Sequence, residues 1–394
     1  MKRILYLTFY FEPDLCAGSF RNTPLAKTLA QQCEGEGIIE VLTTRPNRYA
    51  SYAVTAPATE AIFENLLVKR FSMPSHKSGM VDQVLGFASY AAQVIKATRR
   101  TKYDLVVASS SRLFTAWLGA QIAKKQGIPL YLDIRDLFVD TIQDVLKKAW
   151  YKNLLLRWLK RIEQQTFKRA SHINLISEGF RPYFKEQPSA GFTYFTNGVD
   201  DEIVDHPKNT SMVKDPSRIK IVYAGNIGEG QGLHCILPEV ASTMGQQVHI
   251  TVIGDGGARN LLDQKIKTLG LSNIEVIPPM PRAELFRYYD ESDVLFIHLN
   301  DYPAFLKVLP SKVFELAAWN KPILAGVSGY AKTFIQNEVQ GAYVFHPCDH
   351  KGMIKYLEHI DWRTQIDRSA FLNTYRRSTI NEQMAGSMME LMIK

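Results

Sequence analysis

Residues 219–233 read IKIVYAGNIGEGQGL. Apolar residues fill all but one of the first six positions, which predicts a strand buried on both faces of a parallel sheet. Glycines then recur at Gly225, Gly228, Gly230 and Gly232, and a helical pattern runs from Leu233 through Val240. Glycine lets backbone N–H groups come close to an anion, and a helix N-terminus adds partial positive charge. In open α/β sheets, ligands bind outside the carboxyl ends of the strands, which is where this loop falls. A ligand-free tight turn is the plain alternative; four glycines so close together favour a phosphate site.

The same alternation extends outward in both directions. Downstream, VHITVIG, IEVIPPM, DVLFIHL, KPILAG and AYVFHP read as strands, with a helix over 259–269. Upstream lies a polar stretch, DHPKNTSMVKDPSR at 205–218, with two prolines and no apolar period, which reads as a linker. Before it, KRILYLTFY, IIEVLTT, LLVKRFSM, YDLVVASS, LYLDIRD and SHINLIS read as strands, with helices over 22–32 and 113–125. Strands alternating with helices imply βαβ units. The expected fold is α/β, two Rossmann-like doubly wound domains over 1–204 and 219–375. A last helix, about 376–394, is expected to pack back on the first domain.

Composition agrees with this division. A chain of 394 residues exceeds one ordinary core, and 46% hydrophobic with 22% charged residues suits a folded enzyme. The opening ILYLTFYF runs into Glu12-Pro13-Asp14 without a small-residue cleavage site, so it reads as a strand rather than a signal peptide. No apolar run approaches the ~20 residues that span a bilayer. Cys16, Cys33, Cys235 and Cys348 lie far apart, as reduced thiols of a cytoplasmic protein would. The net charge of +8 predicts an anionic partner, but no nucleic-acid-binding signature accompanies it. No Asp-x-Asp pair stands in a metal-ligand setting, and neither metal nor cofactor is expected.

The charge concentrates in VLKKAWYKNLLLRWLKRIEQQTFKRASH, 145–172, where eight basic residues face the single acid Glu163. Leu146, Trp150, Leu154, Trp158 and Ile162 recur every four residues. A basic amphipathic helix with interfacial tryptophan suits an anionic bilayer surface, here through 145–169. Packing of that stripe on the domain's own sheet is an equal alternative.

Several motifs, taken in order, resemble one family. They are Glu12-Pro13 with Gly18-Ser19, DIRDLF at Asp133–Phe138, Ser177-Glu178-Gly179 and Asn197-Gly198-Val199-Asp200. YAGNIG-x-x-QGL, VIGDGG and PSKVFE at Pro310–Glu315 complete the set. The chain resembles the retaining glycosyltransferases of family 4, with the GT-B fold and a cleft between the two domains. It is most similar to the bacterial O-antigen and capsule branch that includes N-acetyl-L-fucosamine transferases. The resemblance implies a UDP-sugar donor carrying a hexose, an N-acetylated or deoxy amino sugar, and a polyprenyl-diphosphate-linked acceptor. It further implies work at the inner face of the cell membrane.

Residue by residue, the resemblance places the donor on Gly225, Asn226, Gly228, Gln231, Gly254, Asp255, Lys307, Pro310, Ser311, Lys312 and Glu315. Glu315 is expected to accept hydrogen bonds from the ribose diol. Gly18, Ser19, Arg21, Asp133, Glu178 and Asn197 are expected near the acceptor, and Arg135, Asp136 and Lys312 at the reacting centre, with no nucleophile nominated. The charged run Asp133-Ile134-Arg135-Asp136 has an equal reading as an internal salt-bridged network, because unpaired buried charge is costly. Two departures stand out. Many relatives carry a second glutamate where this chain has Lys307, and a basic pair where it has Asn226 and Gln231. Rival readings are a soluble acceptor, a GT-B epimerase, or a binding protein without turnover.

Overall fold

The protein is described here by a computed structural model covering residues 1–14, 16–46, 56–73, 80–110, 113–140, 152–185, 190–208 and 217–393. It divides into two compact units, Met1–Asn197 with Ser378–Lys394, and Gly198–Arg377.

In the second unit, β9 (Ile219–Ala224), β10 (Val248–Ile253), β11 (Ile274–Ile277), β12 (Val294–His298), β13 (Ile323–Gly326) and β14 (Ala342–Phe345) form one sheet. All its pairings are parallel, in the order β11-β10-β9-β12-β13-β14. The apolar run of β9 follows from cover on both faces. Ile219, Ile221 and Tyr223 enter one core with the helix Leu233–Met244, while Val222 and Ala224 enter another with Val313, Phe314 and Trp319. The strand order reverses at β9, which pairs with both β10 and β12. Loops leaving the carboxyl ends of β9 and β12 therefore flank the switch point.

The first unit repeats the plan. Its sheet runs β3-β4-β2-β1-β5-β6-β7-β8, where β1 is Lys2–Leu7, β2 Gly37–Thr44, β3 Thr59–Phe63, β4 Leu66–Phe71, β5 Leu105–Ser109, β6 Leu130–Ile134, β7 His172–Leu175 and β8 Gly191–Thr193. Only β3 is antiparallel, on β4 at the edge. The helix Arg377–Ile393 places Met384, Ala385 and Met388 among the core residues of β1, β2 and β5, and Ser387 Oγ lies 3.1 Å from Tyr131 Oη.

Two expectations need correction, and one strand was not foreseen. Residues 198–204 belong to the second unit, because Val199 and Ile203 sit in its core and Val199 bonds to Tyr375 and Arg377 through the backbone. The first helix spans Ala17–Gln32 rather than beginning near Asn22, so Gly18, Ser19 and Arg21 are helical, not a loop. The edge strand β3 had no expected counterpart. The linker residues 209–216, like Leu146, Lys147, Lys148 and Trp150 of the basic segment, lie outside the described residues.

Candidate donor site at the second switch point

The glycine-rich loop and the VIGDGG loop are interlocked at the ends of β9 and β10. Gly225 N–H donates to Ile253 O, Ile227 N–H to Asp255 O and Ala258 N–H to Ile227 O, each at 2.9 Å. The approach is close enough to require glycine. A Cβ on Gly254 (φ +152°) would stand 1.9 Å from Gly225 O, and one on Gly256 would meet Ile227 O at 2.6 Å. Gly232 takes a left-handed φ of +59° immediately before the helix Leu233–Met244.

Asn226 and Gln231, which stand where relatives carry a basic pair, hold each other. Asn226 Nδ2 donates to Gln231 Oε1 at 2.7 Å, and Gly228 N–H donates to the same oxygen at 3.2 Å. Their side chains thus brace the loop. Asp255 is exposed and accepts from Gly256 N–H at 2.8 Å.

The segment after β12 closes over this loop. Phe305, in the short 3₁₀ turn Pro303–Lys307, lies where a Cβ on Gly230 would meet its ring at 2.9 Å, and Leu306 O lies 2.2 Å from a Cβ on Gly329. These two contacts fix the turn that ends in Lys307. Pro310 and Ser311 then lead into the helix Lys312–Ala317, with Pro310 O accepting from Val313 N–H. Glu315 is part-buried and anchored: Tyr289 Oη donates to its Oε1 at 2.8 Å, and Lys312 Nζ donates to both carboxylate oxygens at 3.1 Å. Burial, with the Glu315 carboxylate beside it, holds the Tyr289 phenol protonated, so it stays a donor. Among the described residues no group of three His, Cys, Asp or Glu side chains could hold a metal ion.

Sequence reasoning passed over His298, at the end of β12. It is 1% exposed; its Nδ1 lies 2.6 Å from Gln231 O, and its Nε2 accepts from Cys348 N–H at 2.9 Å. Burial pulls its pKa down to about 4, with the bond to Gln231 opposing, so the ring is neutral near pH 7. The only signal was a polar residue inside an apolar strand, with partners 67 and 50 residues away.

The first unit treats its expected acceptor residues differently. Arg21 and Asp133 are buried against each other, with Nε–Oδ2 at 2.8 Å and Nη2–Oδ1 at 2.9 Å. Arg21 also donates to Thr196 O and Phe195 O, and Asn174 Nδ2 donates to Asp133 Oδ1, each at 2.8 Å. Burial alone would raise the Asp133 carboxyl, but the Arg21 guanidinium holds it below the usual range. The pair is bonded within the unit, the arrangement of the internal salt-bridged alternative for Asp133. Ser19 is buried beside Thr23, and a Cβ on Gly18 would meet Tyr10 at 3.1 Å. Arg135 Nη2 donates to Ala17 O at 3.1 Å at the start of the first helix, while Asp136 and Glu178 are exposed and Asn197 is part-buried at the unit's end.

The basic helix spans Lys152–Arg169. Leu155, Leu156, Leu159 and Ile162 face a small core with Leu113, Phe114, Phe138 and Val139, whereas Leu154 and Trp158 are 73% and 52% exposed. The stripe read from the sequence is therefore split between core and surface. No helix of the described residues is long and apolar enough to cross a membrane.

Comparison with known proteins follows the same outline. Residues 208–360 match the model of glycosyl transferases group 1. WcaI of Escherichia coli K12, whose name assigns it to colanic acid biosynthesis as a glycosyl transferase, is 25% identical over 195 residues. That match spans 47% of this chain and 48% of WcaI, about half the length of each. Among solved structures, Anabaena HepE in complex with UDP superposes with a TM-score of 0.66 at 16% identity, covering 99% of this chain and 100% of HepE. WaaG, a glycosyltransferase involved in lipopolysaccharide biosynthesis, gives 0.61 at 13% identity, with 98% and 99% covered. The second unit thus matches glycosyl transferases group 1 over most of its length, in a chain that has the two-domain GT-B fold.

Proposed function

We propose that this chain is a retaining glycosyltransferase that takes a sugar from a UDP-linked donor held by the second unit. The observation that carries this reading is the glycine-rich loop at the β9–β12 switch point, with Lys312 and Glu315 on the helix Lys312–Ala317 of the same unit. Backbone N–H groups suit a diphosphate, and a carboxylate suits a ribose diol because both its oxygens accept. As the bond from the anomeric carbon to the diphosphate oxygen breaks, negative charge grows on that oxygen. The loop N–H groups, Lys307 and Lys312 would stabilise it in place. A bond forms from the acceptor oxygen to the anomeric carbon, and the acceptor proton leaves with the diphosphate or solvent. UDP bound to HepE supports the donor class.

The acceptor we propose is a polyprenyl-diphosphate-linked saccharide of a bacterial surface polysaccharide. WcaI and WaaG, by their names, support that setting. An N-acetylated or deoxy amino sugar is the proposed cargo, with Arg135 and Asp136 the charged residues on the acceptor side. The helix Lys152–Arg169, with Leu154 and Trp158 outward among Lys152, Arg157, Lys160 and Arg161, would rest on the anionic inner face of the membrane.

Calorimetry with UDP, and release of UDP from UDP-sugars, tests the donor reading; no saturable UDP binding by the folded protein sinks it. For the membrane, Lys147, Lys148, Lys152 and Lys160 replaced by Gln should weaken binding to anionic liposomes, by roughly 1 kcal/mol for each lysine at the surface. Equal binding by parent and variant would make the helix internal packing alone.

A further inference from the structure

The glycine-rich loop is braced within itself by Asn226 and Gln231, and it is also held from outside. Three consecutive carbonyls are captured from the end of β12. Glu229 O accepts from Asn300 Nδ2 at 2.8 Å, Gly230 O from Asn300 N–H at 2.8 Å, and Gln231 O meets His298 Nδ1 at 2.6 Å. A peptide unit is planar, with its N–H pointing opposite to its C=O. Fixing these three carbonyls therefore fixes the directions of the Gly230, Gln231 and Gly232 N–H groups.

His298 differs from Asn300 in having a second attachment. Gln231 O can only accept, so Nδ1 carries the proton; Cys348 N–H can only donate, so Nε2 is bare. Cys348 is the one non-glycine among the described residues with a left-handed φ, at 60°, and such a conformation persists where its surroundings over-determine it. The ring is also boxed in. It lies 5.8 Å from Phe296 in a stacked arrangement, and a Cβ on Gly326 would stand 2.2 Å from its Cδ2.

We infer that His298 is a positioning residue for the donor site: its Nδ1–H imidazole is a strut from the Cys348 loop to Gln231 that holds the glycine-rich loop in the shape that receives a nucleoside diphosphate. The inference rests on the reading of this loop as the donor site.

Two near-isosteric substitutions separate the strut from simple packing, with UDP as the probe. The amide nitrogen of His298→Asn falls close to Nδ1 and still reaches Gln231 O. The amide of His298→Gln falls close to Nε2, keeps Cys348 and abandons Gln231. UDP affinity should fall about tenfold in His298→Gln, the loss of one well-made hydrogen bond, and stay within about threefold of the parent in His298→Asn. Equal losses in both, following their losses in Tm, would reduce His298 to core filler; unchanged affinity in both would overturn the strut as well. Should the Gln variant fail to fold, the parent's imidazole ¹⁵N spectrum decides. A proton on Nδ1 supports the strut, and a proton on Nε2 overturns it. If the parent itself shows no UDP binding, the donor reading has failed; if it binds and the His298 pair behaves alike, only the strut has.

Discussion

The two units share a strand order about a central strand, β1 in the first and β9 in the second, yet complete their switch points with opposite chemistry. Beside β1, charge is turned inward: Arg21 and Asp133 neutralise each other among Asn174, Phe195 and Thr196, behind a run of buried aromatic residues, Phe9, Tyr10 and Phe11. Beside β9, glycines replace side chains at four positions; Asn226 and Gln231 brace the loop, and His298 and Asn300 hold its carbonyls. The first arrangement makes a rigid wall whose groups are already satisfied. The second makes a shaped surface of peptide groups with lysine and glutamate on a neighbouring helix. One fold thus gives two different switch points, one filled by paired side chains and one lined by backbone.

The sharpest way to break this comparison is Asp133→Ala. Removing one member of a buried pair leaves Arg21 an uncompensated charge, and about 3–5 kcal/mol of stability should be lost in urea denaturation. Wild-type stability with lost turnover would instead mean that the pair serves a ligand, and the contrast between the units would collapse.

Glu315→Ala should act in the opposite sense. The fold should stand, because the residue is only part-buried, while UDP affinity falls by about 1.5–3 kcal/mol with the charged acceptor gone. Unchanged affinity in calorimetry would leave Glu315 as a helix-end partner of Lys312 and Tyr289 only.

A third variant examines another inward charge of the first unit. Glu163 is 1% exposed, and burial pushes its carboxyl up to about 7, against the Tyr183 hydroxyl that donates to it. The folded state therefore keeps a proton that the unfolded chain releases near pH 4.5. Its stabilising contribution is complete below that value, declines as pH rises towards 7, and stays lost above it. Glu163→Gln should flatten this decline, gaining on the order of 1 kcal/mol over the parent at pH 8 relative to pH 5. Parallel pH–stability curves for the two proteins would refute the assignment.

The smallest expected effect is none at all. On the proposed donor reading, N–H groups and lysines stabilise the departing diphosphate, so turnover should persist in excess chelator. Loss of turnover, restored by Mg²⁺ or Mn²⁺, would bring a cation into the account of the second unit.

Legibility in the sequence also divided between the units. All six strands of the second were readable, because each is a short apolar run and most are wholly or largely buried. The edge strand β3 was not: TEAIF is largely exposed and carries almost no apolar period. The start of the first helix was misplaced because a glycine beside a serine, Gly18-Ser19, reads locally as a loop. Here the helix begins five residues earlier, at Ala17, with Gly18 O bonded to Asn22 Nδ2. Glu315, Lys312 and the glycine loop were legible as local motifs. His298, and the pairing of Arg21 with Asp133, were not, since their meaning lies in partners 50 to 112 residues distant.

The return of the helix Arg377–Ile393 to the first unit has a consequence for assembly on the ribosome. The second unit is one uninterrupted stretch, Gly198–Arg377, and holds its whole core as soon as that stretch is made. The first unit begins earlier but lacks Met384, Ala385 and Met388 until the chain has passed through the whole second unit. The unit started first is therefore the one completed last, and until then the hydrophobic gap beside β1, β2 and β5 is open to whatever else can fill it.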